Sequence, residues 1–470
     1  MTKDEFKKLG YELVDFVAEY RERLETLPVQ APAEPGQIKA LFAKSPPQKP
    51  EGFGGIQEEL RALEPGLTGW QSPNFYAWFP SNAPLHSVLA DLVVTGWGNT
   101  GITWLASPAL TEVEEVMTDW MRQMLGLSEA FQGVIHDTAS TATFVAMLCA
   151  RERSTDLSFE RGGLQAEPKP LVVYASAQSH SSVPKGVLLA GFGRENLRFV
   201  ELDESFDMRA DALEAAIAAD IAAGKQPSAV IVAIGTTGTT AFDPLEAIGP
   251  IARKYGLWVH VDAAMAGSAM ILPEMRHLWA GVEGADSICL NPHKWLGVGF
   301  DCTLYYVRDP ELLIRVMSTN PSYLQSAADG RIKNYKDWGI QLGRRFRALK
   351  LWFALKAEGV EGLQARLRRD LENARWLEAE IRQTPGWRLL SPVRLQTLCF
   401  RHEPEGMSPE QISGHNKAWV ERLNSSGKAM LTSAMLGGGW MARVSVGTLH
   451  QEREHVAELW RLMQEEAGRA

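Results

Sequence analysis

A doubly wound α/β fold with a mostly parallel sheet is predicted by three features of this 470-residue chain. From about residue 85 to 350, short apolar and β-branched runs alternate with amphipathic segments of helical spacing. The runs are apolar throughout, as strands covered on both faces are. Each run then breaks at its C-terminal end into glycine, small polar and charged residues, where an open parallel sheet carries its functional groups. Beyond about 350, helices (Leu371 to Thr384, Pro409 to Asn424, His450 to Ala467) alternate with short strands (VRLQTLCFRH, WMARVSVG). The expected organisation is an N-terminal helical arm over 1–84, a large domain over 85–349 and a smaller α/β domain over 350–470.

Composition narrows the function. Hydrophobic residues make up 45% and charged residues 22%, an ordinary globular balance. The net charge of −9, with no basic tail, argues against a nucleic-acid or acidic-membrane surface. Cys149, Cys289, Cys302 and Cys399 lie far apart, and the first three sit in apolar segments, so buried thiols in a reducing compartment are expected. No His/Cys metal spacing is present, so no metal is expected. MTKDEFKKLG lacks an apolar signal core and no apolar run is long enough to span a bilayer. These features predict a soluble cytoplasmic protein.

Each element has its own signal. Thr2 and Glu5 form a capping-box pattern, and Leu9, Leu13, Phe16, Val17 and Tyr20 a stripe, so residues 2–27 read as an amphipathic helix. The prolines at 28, 32, 35, 46, 47 and 50 make 28–55 an extended connector. Thr68 to Pro84 (TGWQSPNFYAWFPSNAP) is aromatic and broken by prolines; it plugs a domain junction or lines a pocket. Ser107 and Pro108 start a helix with Val113, Val116, Met117 and Trp120 as its apolar face, and Gly126 ends it.

In GVIHDTASTATFVAMLCAR (Gly133 to Arg151), a strand meets small polar residues and then a helix. Amides and hydroxyls at a helix N-terminus suit a phosphate dianion, although TAS alone is more readily an ordinary N-cap. Leu171 to Gly191 reads as strand, turn and helix, with His180 in the turn; a lone histidine there is most simply structural. Ser228 to Gly256 is a strand, a GTTGTT turn and a helix. Ser318 to Lys356 holds a long polar loop, of the kind that forms lids, and then a strong amphipathic helix.

The chain is organised around Leu257 to Phe300. LWVHVDAAMAG delivers Asp262 from the end of one apolar run, and SICLNPHKWLGVGF delivers His293 and Lys294 from the next. A lysine and an aspartate on neighbouring strand ends suit pyridoxal phosphate chemistry: the amine carries the cofactor aldehyde, and the carboxylate keeps the pyridine nitrogen protonated. Taken singly, a lysine is usually a solvated charge and a strand-end aspartate an N-cap.

NPHKW with Lys294, HVDAAMAGSA around Asp262, and FDCTLYYV after them resemble the group II pyridoxal phosphate decarboxylases, and among these the aromatic L-amino acid decarboxylases. The resemblance spans nearly the whole chain in the same motif order. It implies the aspartate aminotransferase-like fold type I, a homodimer with a shared active site, and an N-terminal arm that packs on the partner. It implies cofactor contacts from Lys294, Asp262, His180, Thr138, Ala139, Ser140, Thr237, Ala264, Asn291 and His293, with Asp243 in a supporting role. His180 is implied to stack on the pyridine ring. Trp70, Trp78, Phe79, Pro80 and Ser81 are implied to line the substrate pocket, with Thr100, Ile102, Phe300 and Gly343. Asp137 stands where the family pattern has glycine; a carboxylate beside a phosphate is unfavourable, so its side chain is expected to turn away. Met265, Trp78, Ser81 and Ile102 are further departures, all in the pocket region. Arg344 is expected to shape the carboxylate environment.

The implied activity is decarboxylation of an L-amino acid to the amine and carbon dioxide, with Lys294, Asp262, His180 and Tyr323 as catalytic residues and Tyr323 as general acid. Nothing among Trp70, Trp78, Phe79 and Ile102 pairs with a second carboxylate, and Gly343 goes with larger aromatic side chains, so a tryptophan- or phenylalanine-like substrate is favoured. Three alternatives stay open: an aldehyde synthase on the same scaffold, against which Tyr323 and His180 argue; a decarboxylase of histidine or a branched aliphatic amino acid; and a non-catalytic dimeric binding protein.

Overall fold

Strands mostly buried on both faces make the larger sheet in a computed structural model that describes residues 1–319 and 332–469. They are β1 (Gln132–His136), β2 (Leu171–Ser176), β3 (Leu197–Val200), β4 (Gln226–Ala233), β5 (Trp258–Asp262), β6 (Ser287–Leu290) and β7 (Thr303–Val307). Every residue of β2, β5, β6 and β7 is buried, which is why their sequences lack alternation. The spatial order is β1-β7-β6-β5-β4-β2-β3. β7 runs antiparallel to both β1 and β6, and the other pairings are parallel. The C-terminal ends of all strands but β7 therefore share one edge of the sheet.

The chain falls into two compact units. One, Ser81–Arg369 with Ser391–Leu395, contains this sheet. The helix Ala139–Ser154 covers one face, where Ala142, Val145, Ala146 and Cys149 join Ala229, Ile231, Trp258 and Tyr305 in one core. Each fully buried aliphatic side chain there contributes about 1.5–3 kcal/mol.

The other unit comprises Met1–Pro80, Asp370–Leu390 and Gln396–Ala470. Its antiparallel sheet has the order β10-β11-β9-β8, from β8 (Trp387–Leu389), β9 (Thr397–His402), β10 (Thr432–Leu436) and β11 (Gly439–Ser445). Ser408 and Gln411 close a capping box on the helix Pro409–Ser425, which buries Trp419, Val420 and Leu423. The N-terminal helix, Lys3–Glu22, carries the Thr2–Glu5 capping box its sequence predicts, and none of its residues is fully buried.

Two expectations need correction. The helix Pro108–Leu125 buries Leu110, Glu114, Met117, Met121 and Leu125, whereas Val116 and Trp120 are exposed. Its inward face is set by a buried charge, Glu114, which hydrophobic periodicity counts as outward. The short strands β3, β8 and β10 were not marked by any apolar run in the sequence, because each leaves part of its surface unburied. All four cysteines are buried and none forms a disulfide. Among the described residues, no helix is long and apolar enough to cross a membrane.

Candidate active site

Three polar side chains meet at the shared edge of the parallel strands. Asp262 is the last residue of β5. Its Oδ1 accepts from the Ala264 N–H at 3.1 Å and from the Cys289 thiol at 3.7 Å. No hydrogen bond from the described residues reaches Oδ2, although the residue is only 8% exposed. Lys294 follows β6, the neighbour of β5, in the tight turn Pro292–Leu296. The turn departs from helical geometry at Lys294 itself (φ −99°, ψ −116°), and Asn82 Nδ2 holds the Lys294 carbonyl at 3.4 Å. The two strand exits are tied together, since the Asn291 N–H donates to the Ala264 carbonyl at 2.8 Å.

His180 completes the group from the turn after β2. Its Nδ1 accepts the Ser182 N–H at 3.1 Å and lies 2.8 Å from Ser182 Oγ. An Nδ1 that accepts a backbone N–H leaves Nε2 as the protonated nitrogen of a neutral ring. Desolvation lowers the His180 pKa; the Asp262 charge acts against this and the Lys294 charge with it. The ring is exposed, so it has a face to offer a ligand.

The end of β1 brings a helix N-terminus to the same edge. Thr138 is the N-cap of Ala139–Ser154 in extended conformation, and no side chain among the described residues caps that helix. The Thr303 hydroxyl ties this corner to the Lys294 turn, 3.0 Å from the Asp137 carbonyl and 2.9 Å from Asn291 Oδ1. His293 Nδ1 accepts the Cys302 N–H at 3.0 Å. Burial first, and then Lys294, push the His293 pKa down to about 4, so its ring is neutral with Nε2–H as the remaining donor. Thr237 is half-buried in the turn after β4, whose end is tied to β5 by the Ile234 N–H on the Asp262 carbonyl at 2.9 Å.

Asp137 does not turn clear of this corner as expected. Its Oδ1 accepts the Thr138 N–H at 2.6 Å and its Oδ2 accepts from Gln341 Nε2 at 3.2 Å. A lone carboxylate beside uncapped amides takes the nearest donor, whatever ligand the corner is built for.

Comparison with known proteins follows this geometry. Residues 35–403 match the pyridoxal-dependent decarboxylase conserved domain. A phenylacetaldehyde synthase of Rosa hybrid cultivar is 38% identical, over 99% of this chain and 94% of the relative. An aromatic-L-amino-acid decarboxylase of Catharanthus roseus is 37% identical, over 99% of this chain and 94% of that one. The crystal structure of Oryza sativa TDC with PLP and tryptamine superposes with a TM-score of 0.96 at 36% identity, covering 99% of this chain and 98% of that one.

The chain belongs to the pyridoxal-dependent decarboxylase family. It is a pyridoxal phosphate-dependent carboxy-lyase of fold type I.

The edge fits the decarboxylase cofactor on its own chemistry. Asp262 Oδ2 awaits a cationic N–H, the uncapped helix N-terminus suits a dianion, and a lysine stands on the strand exit beside Asp262. Thr138, Ala139, Ser140, Asn291, His293, Ala264 and Thr237 all lie on turns or helix starts at this edge. Tyr323 lies outside the described residues.

The residues implied to contact substrate divide between the two units. Trp70, Trp78, Phe79 and Pro80 belong to the unit with the antiparallel sheet. There Trp70 and Trp78 stack at 5.0 Å, with Phe75 4.6 Å from Trp70. Ser81, Thr100, Ile102, Phe300 and Gly343 belong to the other unit. Thr100 and Phe300 are exposed, and a Cβ added to Gly343 would meet Thr100 Cγ2 at 3.6 Å. Arg344, beside Gly343, is already committed: it bonds Glu114 at 2.5 Å and the Ile135 carbonyl at 2.8 Å, both deep in the fold. It holds a helix and β1 together through Nη2.

Sequence reasoning missed Arg443, in the middle of β11. It is 1% exposed, donates through Nη1 to the Trp78 carbonyl, and lies 4.5 Å from the Phe79 ring. Its Nε and Nη2 have no partner among the described residues, and burial lowers its pKa to about 10. The signal was a single charge inside the apolar run WMARVSVG.

Proposed function

We propose that this decarboxylase acts on an aromatic L-amino acid, releasing the amine and carbon dioxide, with a tryptophan- or phenylalanine-like substrate favoured. The observation that carries the reading is the convergence of Lys294, Asp262 and His180 on one sheet edge, beside an uncapped helix N-terminus. Bound there, pyridoxal phosphate supplies an aldehyde for the substrate amine and a ring that accepts the electron pair of the breaking carboxylate bond. Lys294 would hold the cofactor through its aldehyde. Asp262 Oδ2 would keep the ring nitrogen protonated, and His180 would cover one ring face. The start of Ala139–Ser154, with the hydroxyls of Thr138 and Ser140 and the Nε2–H of His293, neutralises the phosphate. Tyr323 delivers the proton to the substrate carbon.

None of Trp70, Trp78, Phe79 and Ile102 can pair with a second substrate carboxylate, in keeping with relatives named for tryptophan and tyrosine. A homodimer is part of the proposal: Leu85, Val88, Leu89 and Leu92 are all exposed on the helix Leu85–Trp97, and the stripe of the N-terminal helix is only partly covered. Four buried free thiols suit a cytosolic location.

A second reading has a specific observation behind it, since relatives of equal identity are named phenylacetaldehyde synthases. One experiment separates the two. Loaded protein is incubated separately with tryptophan, phenylalanine, tyrosine, histidine and glutamate, following carbon dioxide, oxygen and product mass. Stoichiometric amine without oxygen uptake, fastest with an aromatic substrate, is expected. Aldehyde with oxygen uptake would replace the proposal by the second reading. Turnover of glutamate or histidine alone would overturn the substrate class.

A further inference from the structure

Behind Asp262 a buried polar chain runs across the sheet into the core. The Trp258 indole N–H donates to Ser287 Oγ at 2.9 Å. Ser287 Oγ lies 2.9 Å from His260 Nδ1. His260 Nε2 lies 3.8 Å from Cys289 Sγ and 3.4 Å from Thr143 Oγ1. Cys289 Sγ is 3.7 Å from Asp262 Oδ1. His260, Cys289 and Ser287 show no exposure at all.

The two ends set the direction of the protons. The indole N–H can only donate, and an ionised carboxylate can only accept. With the single thiol proton of Cys289 spent on Asp262, the arrangement that keeps a donor on the sulfur has His260 donating from Nε2 towards Cys289 and Thr143. A neutral ring that donates from Nε2 accepts at Nδ1, and the Ser287 hydroxyl supplies that proton while it receives the indole's. The chain is satisfied at every link in one arrangement. Burial supports the neutral forms: it lowers the His260 pKa to about 4, with Asp262 acting against it, and raises that of the Cys289 thiol. The charged groups felt at Cys289 are Asp262 on β5 and Lys294 beyond β6, and Tyr305 on β7 stays a neutral phenol.

We infer that Cys289, oriented by His260 and Ser287, is a positioning residue that sets how firmly Asp262 holds the proton on the cofactor ring nitrogen. A thiol is the weakest of the neutral side-chain donors. It fixes Oδ1 while drawing little charge from the carboxylate, so Oδ2 stays basic. A serine hydroxyl in its place sits on a shorter bond and falls beyond hydrogen-bond reach of an oxygen already 3.7 Å from the sulfur, so serine, like alanine, releases Oδ1 and leaves the carboxylate less firmly oriented. This inference rests on Asp262 being that partner.

The test uses the holoenzyme and the visible absorbance of its bound cofactor against pH, with kcat and KM for the preferred substrate and cofactor release by dialysis. Cys289→Ser should move the absorbance midpoint by about half a pH unit or more and lower kcat about threefold to tenfold at unchanged KM. Cys289→Ala, which removes the donor outright, should move the midpoint in the same direction and at least as far. His260→Phe, which cuts the chain above the thiol, should move it less than Cys289→Ser does. Identical titrations for wild type, Cys289→Ser and Cys289→Ala would overturn the inference. Asp262→Asn is the control. If it too leaves the spectrum unmoved, the role given to Asp262 fails; if only the Cys289 variants are silent, the positioning chain alone fails.

Discussion

Two buried aspartates within twenty residues of each other do opposite things. Asp243 is 1% exposed and both its oxygens are taken: Oδ1 by the Met208 N–H and Oδ2 by the Ala233 N–H, each at 2.8 Å. Its nearest charges, Asp207 and Asp203, share its sign, and burial above all raises its pKa to about 7. Asp262 has one committed oxygen and one uncommitted among the described residues, and its charge is felt by His180 and His260. The filled carboxylate is a brace for the end of β4. The half-filled one, on the proposed reading, is an offer to a ligand. Counting committed oxygens separates the roles where burial alone does not.

The comparison breaks first if Asp262 is dispensable. Asp262→Ala removes one partner of a desolvated charge pair, a loss of about 4 kcal/mol or about a thousandfold in kcat. Its thermal unfolding should stay close to wild type, since the residue holds only one backbone amide. Carbon dioxide release at saturating cofactor measures the first, and calorimetry the second. Asp243→Ala should behave in reverse. It strands two buried amides at about 1–3 kcal/mol each, so the folded state loses about 3 kcal/mol. Below its lowered Tm it should still take up cofactor and turn over within a few-fold of wild type. A variant with wild-type stability but no activity would mean that Asp243 is no brace.

The fold and most of the edge were legible in the sequence because buried parallel strands are written without alternation. LWVHVDAAMAG and SICLNPHKW announce both strands and the groups at their ends. His180, Thr138 and Asn291 needed the family resemblance, since a turn histidine or a TAS segment has ordinary structural uses. What stayed hidden are charges inside apolar patterns. Glu114 and Arg344 bond each other across 230 residues of sequence, and periodicity has no term for a buried ion pair. Arg443 pairs with no carboxylate among the described residues and reads as a break in a strand. The Cys289 chain uses residues that count as core.

A third carboxylate on the same edge sharpens the contrast. Asp137 neither braces the core nor awaits a cation; it sits on the Thr138 amide at the corner suited to a dianion. Asp137→Asn keeps an acceptor for that amide and removes the charge. Relief of like-charge repulsion in a solvent-screened corner is worth about 1 kcal/mol, so the cofactor Kd should fall about fivefold. Fluorescence titration of the apoprotein with pyridoxal phosphate reads this directly. An unchanged or weaker Kd would mean that the Asp137 charge does not oppose the phosphate.

The smallest effect is the most specific to Asp243. His136 and His260 are held neutral by burial, with pKa values pushed down to about 4. Their contribution is complete above the ordinary histidine value near 6.5 and is lost as pH falls through 4, so stability climbs with pH on the acid side. Asp243 has the opposite sign. Its folded pKa is raised to about 7, so its contribution is complete below the ordinary carboxylate range and is lost as pH rises through 7. Between pH 6.5 and 7.5 the folded protein gives up about half a proton at this site while the unfolded chain has none left to lose. Integrating the linkage over that unit gives a loss of about 0.7 kcal/mol. Denaturant unfolding of wild type and Asp243→Asn at the two pH values isolates this term. The variant starts less stable, because an amide cannot accept at both positions, but its curve should be flatter by that amount. Parallel curves would mean that Asp243 is already ionised at pH 6.5, its two amide donors outweighing its burial, and the brace would then be a charged one.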